Sequence, residues 1–199
     1  GSGAAGGIVF DELKKKNKNV LLIERGPNIK SENLRKEFYY SLKKVWKNSG
    51  YQYASGNISL PILQGISLGG STTINGSIMQ PLDKNFCDEI INETKTNNKD
   101  FSFDNLLKYQ KEIKREFNIK RDNDDFLKES KLLQEVKKKN WDCKLSERAL
   151  PEQNFYNKIL SGHSIENIIL RKYNGMNILV DTEVKSIIKE KNKVLGIMC

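Results

Sequence analysis

The chain has 199 residues, 37% of them hydrophobic, enough for one substantial core and for one domain or slightly more. Its 34 basic residues against 25 acidic ones give a net charge of +9. Most are lysines spread along the chain, which reads as a solvated surface rather than the concentrated footprint of a nucleic-acid binder. No apolar run approaches the roughly 18 residues that a membrane span needs.

The chain opens on Gly1-Ser2-Gly3-Ala4-Ala5-Gly6-Gly7, with neither an initiator methionine nor a charged-then-apolar leader, and reads as internal to a longer product. These glycines predict a tight turn feeding a helix through Ile8, Phe10 and Leu13. The apolar run Val20-Leu21-Leu22-Ile23, closed by Gly26-Pro27, predicts a central parallel strand buried on both faces. Ser31 is placed to cap a helix carrying Leu34, Phe38, Leu42, Val45 and Trp46 on one stripe. Residues 49–68 read as irregular or short-stranded, and Gly69-Gly70-Ser71-Thr72-Thr73-Ile74-Asn75-Gly76 forms a second glycine cluster.

From about Asp83 the composition turns to polar helices. One is predicted over Phe103–Phe117 with Asp104 as cap, and another ends near Lys139 after the polar loop Lys120–Asp125. Ser161 or Ser164 opens a helix through Ile165, Ile168, Ile169 and Leu170. Strands are predicted over Met176–Val180, Glu183–Lys189 and Val194–Met198, with a tight turn at Lys191-Asn192-Lys193 joining the last two.

The spacing Gly1-x-Gly3-x-x-Gly6, followed by a strand ending in Glu24, points to a dinucleotide site. The first glycine permits the tight turn, the second lets backbone approach a pyrophosphate, and the third lets the helix sit close. The helix N-terminus offers free N–H groups and a positive dipole end to the phosphates. A carboxylate at Glu24 is suited to accept both ribose hydroxyls, which disfavours a 2′-phosphate and leaves NAD and FAD open.

Metal and thiol chemistry find little support. Cys87, Cys143 and Cys199 have no CxxC spacing and read as thiols of a reducing, cytoplasmic compartment. Asp122, Asp124 and Asp125 lack the glycine and distal glutamate of a calcium loop and read as a solvated loop. The single histidine, His163, reads as a surface or capping residue.

The stretch Gly65-Ile66-Ser67-Leu68-Gly69-Gly70-Ser71-Thr72-Thr73-Ile74-Asn75-Gly76 closely resembles the first signature of the glucose–methanol–choline (GMC) oxidoreductase family. Ile66 and Met79 depart from that pattern. Phe101 to Tyr109 resembles the helix that follows the signature, and Met176 to Met198 resembles the family's return to the nucleotide domain. The resemblance is strong over residues 1–80 and loose over 100–199.

It implies an α/β fold, a Rossmann-like FAD/NAD(P)-binding parallel sheet with helices. The first strand and the C-terminal part of that sheet lie outside the chain. Residues 1–82 and 145–199 then form two segments of the FAD-binding domain, and 83–144 a polar helical excursion toward a substrate domain. It implies non-covalent FAD, bound by Gly1, Ser2, Gly3, Ala4, Ala5, Gly6, Glu24, Arg25, Gly69, Gly70, Ser71, Asn75, Gly76 and, through its backbone on the adenine side, Val184. Glycines 69 and 70 admit backbone to a flat ring and phosphates, while Ser71 and Asn75 can donate hydrogen bonds.

The implied activity is oxidation of an alcohol or sugar-like CH–OH donor, with the electron acceptor unassigned. The family's catalytic histidine and its partner fall past residue 199, so no catalytic residue is expected here. A FAD-retaining lyase of the same family and a non-enzymatic basic nucleotide-binding module are the alternatives.

Overall fold

The computed structural model describes residues 1–29, 38–95, 101–121, 131–141, 146–149 and 162–199. Ser31, Leu34, Asp122, Asp124, Asp125, Cys143 and Ser161 lie outside the described residues. Two compact units are distinguished: Gly1–Gly76 with Asn154–Cys199, and Ser77–Gln153.

In the first unit, helix α1 (Ala4–Lys15) starts from Gly3 in extended conformation and buries Gly7, Phe10 and Asp11. Strand β1 (Leu22–Ile23) pairs in parallel with β7 (Ile178–Leu179). Hydrogen bonds from Thr182 N to the Glu24 carbonyl at 3.0 Å and from Asp181 N to the Gly26 carbonyl at 3.1 Å continue the pairing. Successive strand residues face opposite ways. Leu22 is buried, whereas Leu21 is 56% exposed. The run expected to be buried on both faces is thus buried at Leu22, half-buried at Ile23 and exposed at Leu21, with α1 packed on β1.

Helix α2 (Phe38–Val45) buries Val45 completely. The residues after it form a small antiparallel hairpin of β2 (Tyr53–Ala54) and β3 (Leu60–Pro61), in keeping with the short-stranded reading of 49–68. An antiparallel bridge between Trp46 and Gly65 then returns the chain to the second glycine cluster.

Farther along, a π-helix (Ile165–Ile169) continues into a 3-10 turn (Leu170–Tyr173). Ser164 caps it reciprocally: its hydroxyl accepts from Asn167 N, and the Asn167 side chain accepts from Ser164 N at 2.7 Å. A hairpin of β8 (Ser186–Glu190) and β9 (Lys193–Met198) closes the unit, turning at Lys191 with φ 50°. Among the described residues, Phe10, Leu22, Val45, Leu68, Ile165, Ile169 and Leu170 are its buried apolar residues.

The second unit holds α3 (Lys84–Thr94), capped by Asp83, and α4 (Phe103–Glu116). Ser102, not Asp104, caps α4. Ser102 has extended backbone and its hydroxyl accepts from Asn105 N, so Asp104 falls inside the first turn, where its charge meets the positive helix end. Strands β4 (Ile78–Met79), β5 (Ile119–Arg121) and β6 (Glu147–Ala149) form an antiparallel sheet in the order β4-β6-β5. Helix α5 (Lys131–Lys138) carries Lys137 and Lys138 in its last turn, and Cys87 is buried.

The fold is mixed α/β, built from small sheets. Among the described residues β1–β7 is the one parallel pair. No described helix is long and apolar enough to cross a membrane.

Candidate functional site

The two glycine clusters meet at a cleft of about 330 Å³ in the first unit. Gly1, Gly3, Ala4, Glu24, Arg25, Lys47, Gln64, Gly65, Gly70, Ser71 and Thr72 line it. The volume is within the range of small-molecule pockets.

The glycines of the first cluster have different physical reasons. A Cβ on Gly6 would lie 1.9 Å from the Gly1 carbonyl oxygen, so the third glycine is required by the turn itself. At Gly3 a Cβ would meet nothing within 4 Å. The protein's own packing does not demand glycine there, and the bare backbone faces open space. Gly3 provides no side-chain cap, and the first turn of α1 carries no acidic residue. Its N–H groups and positive dipole end are therefore available to an anion.

Glu24 is only 6% exposed. Its Oε2 accepts from Ser2 N at 2.8 Å and from the Ser2 hydroxyl at 2.7 Å, and its Oε1 accepts from Gly26 N at 2.9 Å. A carboxylate has about four acceptor positions. Three are filled by the protein, which leaves room for one further donor rather than for two ribose hydroxyls.

In the second cluster Gly69 and Gly70 have φ of +87° and +57°, which favours glycine at both. A Cβ on Gly70 would lie 2.8 Å from Gly3 Cα, so the two clusters touch backbone to backbone. The Ser71 hydroxyl accepts from Gly65 N at 2.9 Å and keeps its proton as a donor. Thr72 Oγ1 donates to the Gly69 carbonyl at 2.6 Å and accepts from Ile165 N at 3.1 Å.

The π-helix braces both clusters. A Cβ on Gly7 would lie 2.2 Å from Ile165 Cγ2, and one on Gly69 would lie 2.9 Å from Glu166 Cβ. Glu166, buried, is held by Arg171 through bonds of 2.8 and 3.2 Å.

Of the residues expected at the site, Gly1, Gly3, Ala4, Glu24, Arg25, Gly70 and Ser71 line the cleft. Ser2, Gly6 and Gly69 hold its walls from behind, and Ala5 is exposed on the first turn of α1. Asn75 and Gly76 follow the 3-10 turn Gly70–Thr73 and are not among the lining residues. Val184, 41% exposed, is also outside the lining, beside Glu183, whose carboxylate pairs with Arg25 at 3.5 Å.

Sequence reasoning missed Lys47 and Gln64. They arrive through the Trp46–Gly65 bridge, where Lys47 N donates to the Gln64 carbonyl at 2.9 Å. It also missed Thr72 as a lining group, although Thr72 stands inside the quoted cluster.

This donor set suits a dinucleotide diphosphate. Bare backbone at Gly3, an uncapped helix start, the Ser71 hydroxyl and the cations Arg25 and Lys47 surround one cleft.

A buried carboxylate with two partners stands apart from the cleft lining. Asp11 on α1 accepts from the Tyr173 hydroxyl and from Lys15 Nζ, each at 2.7 Å.

No family model matches the chain. Over 89 residues it is 29% identical to an uncharacterized GMC-type oxidoreductase, y4nJ, of Sinorhizobium fredii. The match covers 45% of this chain and 18% of that protein, a distant and partial similarity to an oxidoreductase.

Proposed function

We propose that this chain is the cofactor-binding portion of an FAD-dependent oxidoreductase acting on the CH–OH group of an alcohol or sugar-like donor. One observation carries the reading: two glycine clusters meet over the uncapped start of α1, with Glu24 lining the same cleft. The distant similarity to a GMC-type oxidoreductase supports the reaction class. In this reading β1 and β7 belong to a Rossmann-like sheet, residues 1–82 and 145–199 to the FAD-binding domain, and 83–144 lead toward the substrate region.

Bound flavin supplies the hydride acceptance of the reaction. The chain's residues bind and orient. The first-turn N–H groups of α1 receive the diphosphate, and Gly3 lets it approach. Ser71 donates through its hydroxyl, and Arg25 and Lys47 balance the charge. Glu24 would give its remaining acceptor position to one ribose hydroxyl, and Val184 would meet the adenine side through its backbone. Proton removal from the alcohol is assigned to no residue of this chain.

The protein should purify yellow or bind added FAD, with acid precipitation leaving FAD in solution. Folded protein that neither carries flavin nor binds FAD would overturn the proposal.

A further inference from the structure

Ser2 lies behind the cleft, not in it. It is 0% exposed and does not line the cavity, yet it touches both glycine clusters. Its hydroxyl lies 2.7 Å from Glu24 Oε2 and 2.9 Å from Gly69 N. A serine hydroxyl has one proton and two lone pairs. The Gly69 amide can only donate, so the hydroxyl proton is committed to Glu24. The result is one directed chain, from Gly69 N–H to Ser2 Oγ and from Ser2 Oγ–H to Glu24 Oε2. Away from water, each hydrogen bond of such a chain polarises the next.

Both ends of the chain belong to the cleft. Gly69 begins the turn whose Gly70, Ser71 and Thr72 line it, and Glu24 lines it from the end of β1. We infer that Ser2 is a positioning residue that couples the acidic end of the cleft to the second glycine turn. A ligand hydroxyl taking the open acceptor position of Glu24 draws charge from the carboxylate, loosens the bond from Ser2, and so alters the bond that Ser2 accepts from Gly69. The ribose end and the diphosphate end of the cleft then respond to a ligand together. The geometry stands by itself; the identity of the ligand rests on the nucleotide reading above.

Ser2→Ala removes the relay but leaves Ser2 N and Gly26 N on Glu24, so the turn keeps two of its three anchors. The test follows the backbone amide resonances of Gly26 and Gly69 in ¹⁵N-labelled protein during titration with adenosine, which has the ribose and no phosphate. In the wild-type protein both resonances should move together. In Ser2→Ala, Gly26 should move and Gly69 should stay in place. Equal movement of Gly69 in both proteins, or a stationary Gly69 beside a moving Gly26 in the wild type, overturns the inference.

If neither resonance responds to millimolar adenosine, titration with FAD decides the nucleotide reading, and Glu24→Gln decides the relay. Coupling requires this substitution to shift the Gly69 amide when Ser2 is present and to leave it in place beside Ser2→Ala. A shift of equal size in both backgrounds overturns the relay.

Discussion

The Tyr173 hydroxyl donates a 2.7 Å hydrogen bond to Asp11, a carboxylate only 1% exposed, and thereby fastens the 3-10 turn after the π-helix to α1. Lys15 holds the other carboxylate oxygen at 2.7 Å, and the Tyr173 ring meets Phe10 edge-on with centroids 5.0 Å apart. Burial pushes the Asp11 carboxyl up, but the bonds from Lys15 and Tyr173, with the charge of Lys172, outweigh it and hold the group below the ordinary range. Tyr173 is pushed up to about 12 by burial and by the carboxylate it donates to.

Tyr173→Phe should therefore cost about 1.5–3 kcal/mol, the range for a hydrogen bond to a charged group. The ring contact with Phe10 survives the change, so the loss reports the hydroxyl. Urea denaturation measures it. Wild-type stability in the variant would show that Asp11 is satisfied without the tyrosine.

The same pair sets a dependence on pH. Asp11 is lowered from 3.8 on folding, so its contribution is complete above that value and is lost as pH falls through the still lower folded value. Tyr173 is raised from 10.0 to about 12, so its contribution is complete below 10.0 and is lost as pH climbs through the folded value. Thermal melts of wild type and Tyr173→Phe should differ most at neutral pH and converge at both extremes. A constant difference across the range would argue against the pair.

Two glycines of the first cluster should separate folding from binding. Gly6→Ala drives a methyl into the Gly1 carbonyl, 1.9 Å away, and should cost about 3 kcal/mol or more. Gly3→Ala meets no protein atom within 4 Å and should cost about 1 kcal/mol or less, as an N-cap change. Yet it should weaken FAD at least about tenfold, because the methyl points into the space left for the diphosphate. Chemical denaturation and fluorescence titration are read side by side. Unchanged FAD affinity in Gly3→Ala would place the diphosphate elsewhere.

At Glu24 even a close mimic of the carboxylate should fail. The amide oxygen of Glu24→Gln can accept the two Ser2 donors, but its NH₂ group then faces the Gly26 N–H, donor against donor. About 1–3 kcal/mol of stability should be lost. Glu24→Ala should lose more, because all three donors are left without their acceptor. Denaturation of both variants settles the order, and a Gln variant as stable as the wild type would contradict the hydrogen-bond arrangement.

What the sequence disclosed was local. Glycine spacing marked both turns, a serine before an apolar run (Ser161 or Ser164) marked the cap that falls at Ser164, and alternation around Lys191 marked the final hairpin. The competition between Ser102 and Asp104 for the α4 cap turned on backbone angles that composition does not carry. Lys47 and Gln64 reached the cleft through a bridge between distant segments, and Tyr173 reached Asp11 across 162 residues, so no short-range pattern announces either. Ser2 looked like an ordinary loop residue between glycines. Its importance comes from being buried between two partners that the sequence places far apart. The parallel pairing of β1 with β7 agrees with the expected strand type, while the exposure of Leu21 followed from how helices cover the strand, which strand pattern does not encode.

The bracing by the π-helix bears on how the protein is made. Gly7 leans on Ile165, Gly69 leans on Glu166, and β1 has β7 as its parallel partner. On the ribosome, residues 1–76 emerge before residues 165–179 and must wait, with both glycine turns unbraced, until the codons for the latter have been read. Those early residues hold apolar surface that has nothing yet to rest on, a period in which a chaperone would find its grip. A message stopping just before Ile165 would encode both glycine motifs intact and still yield no cleft.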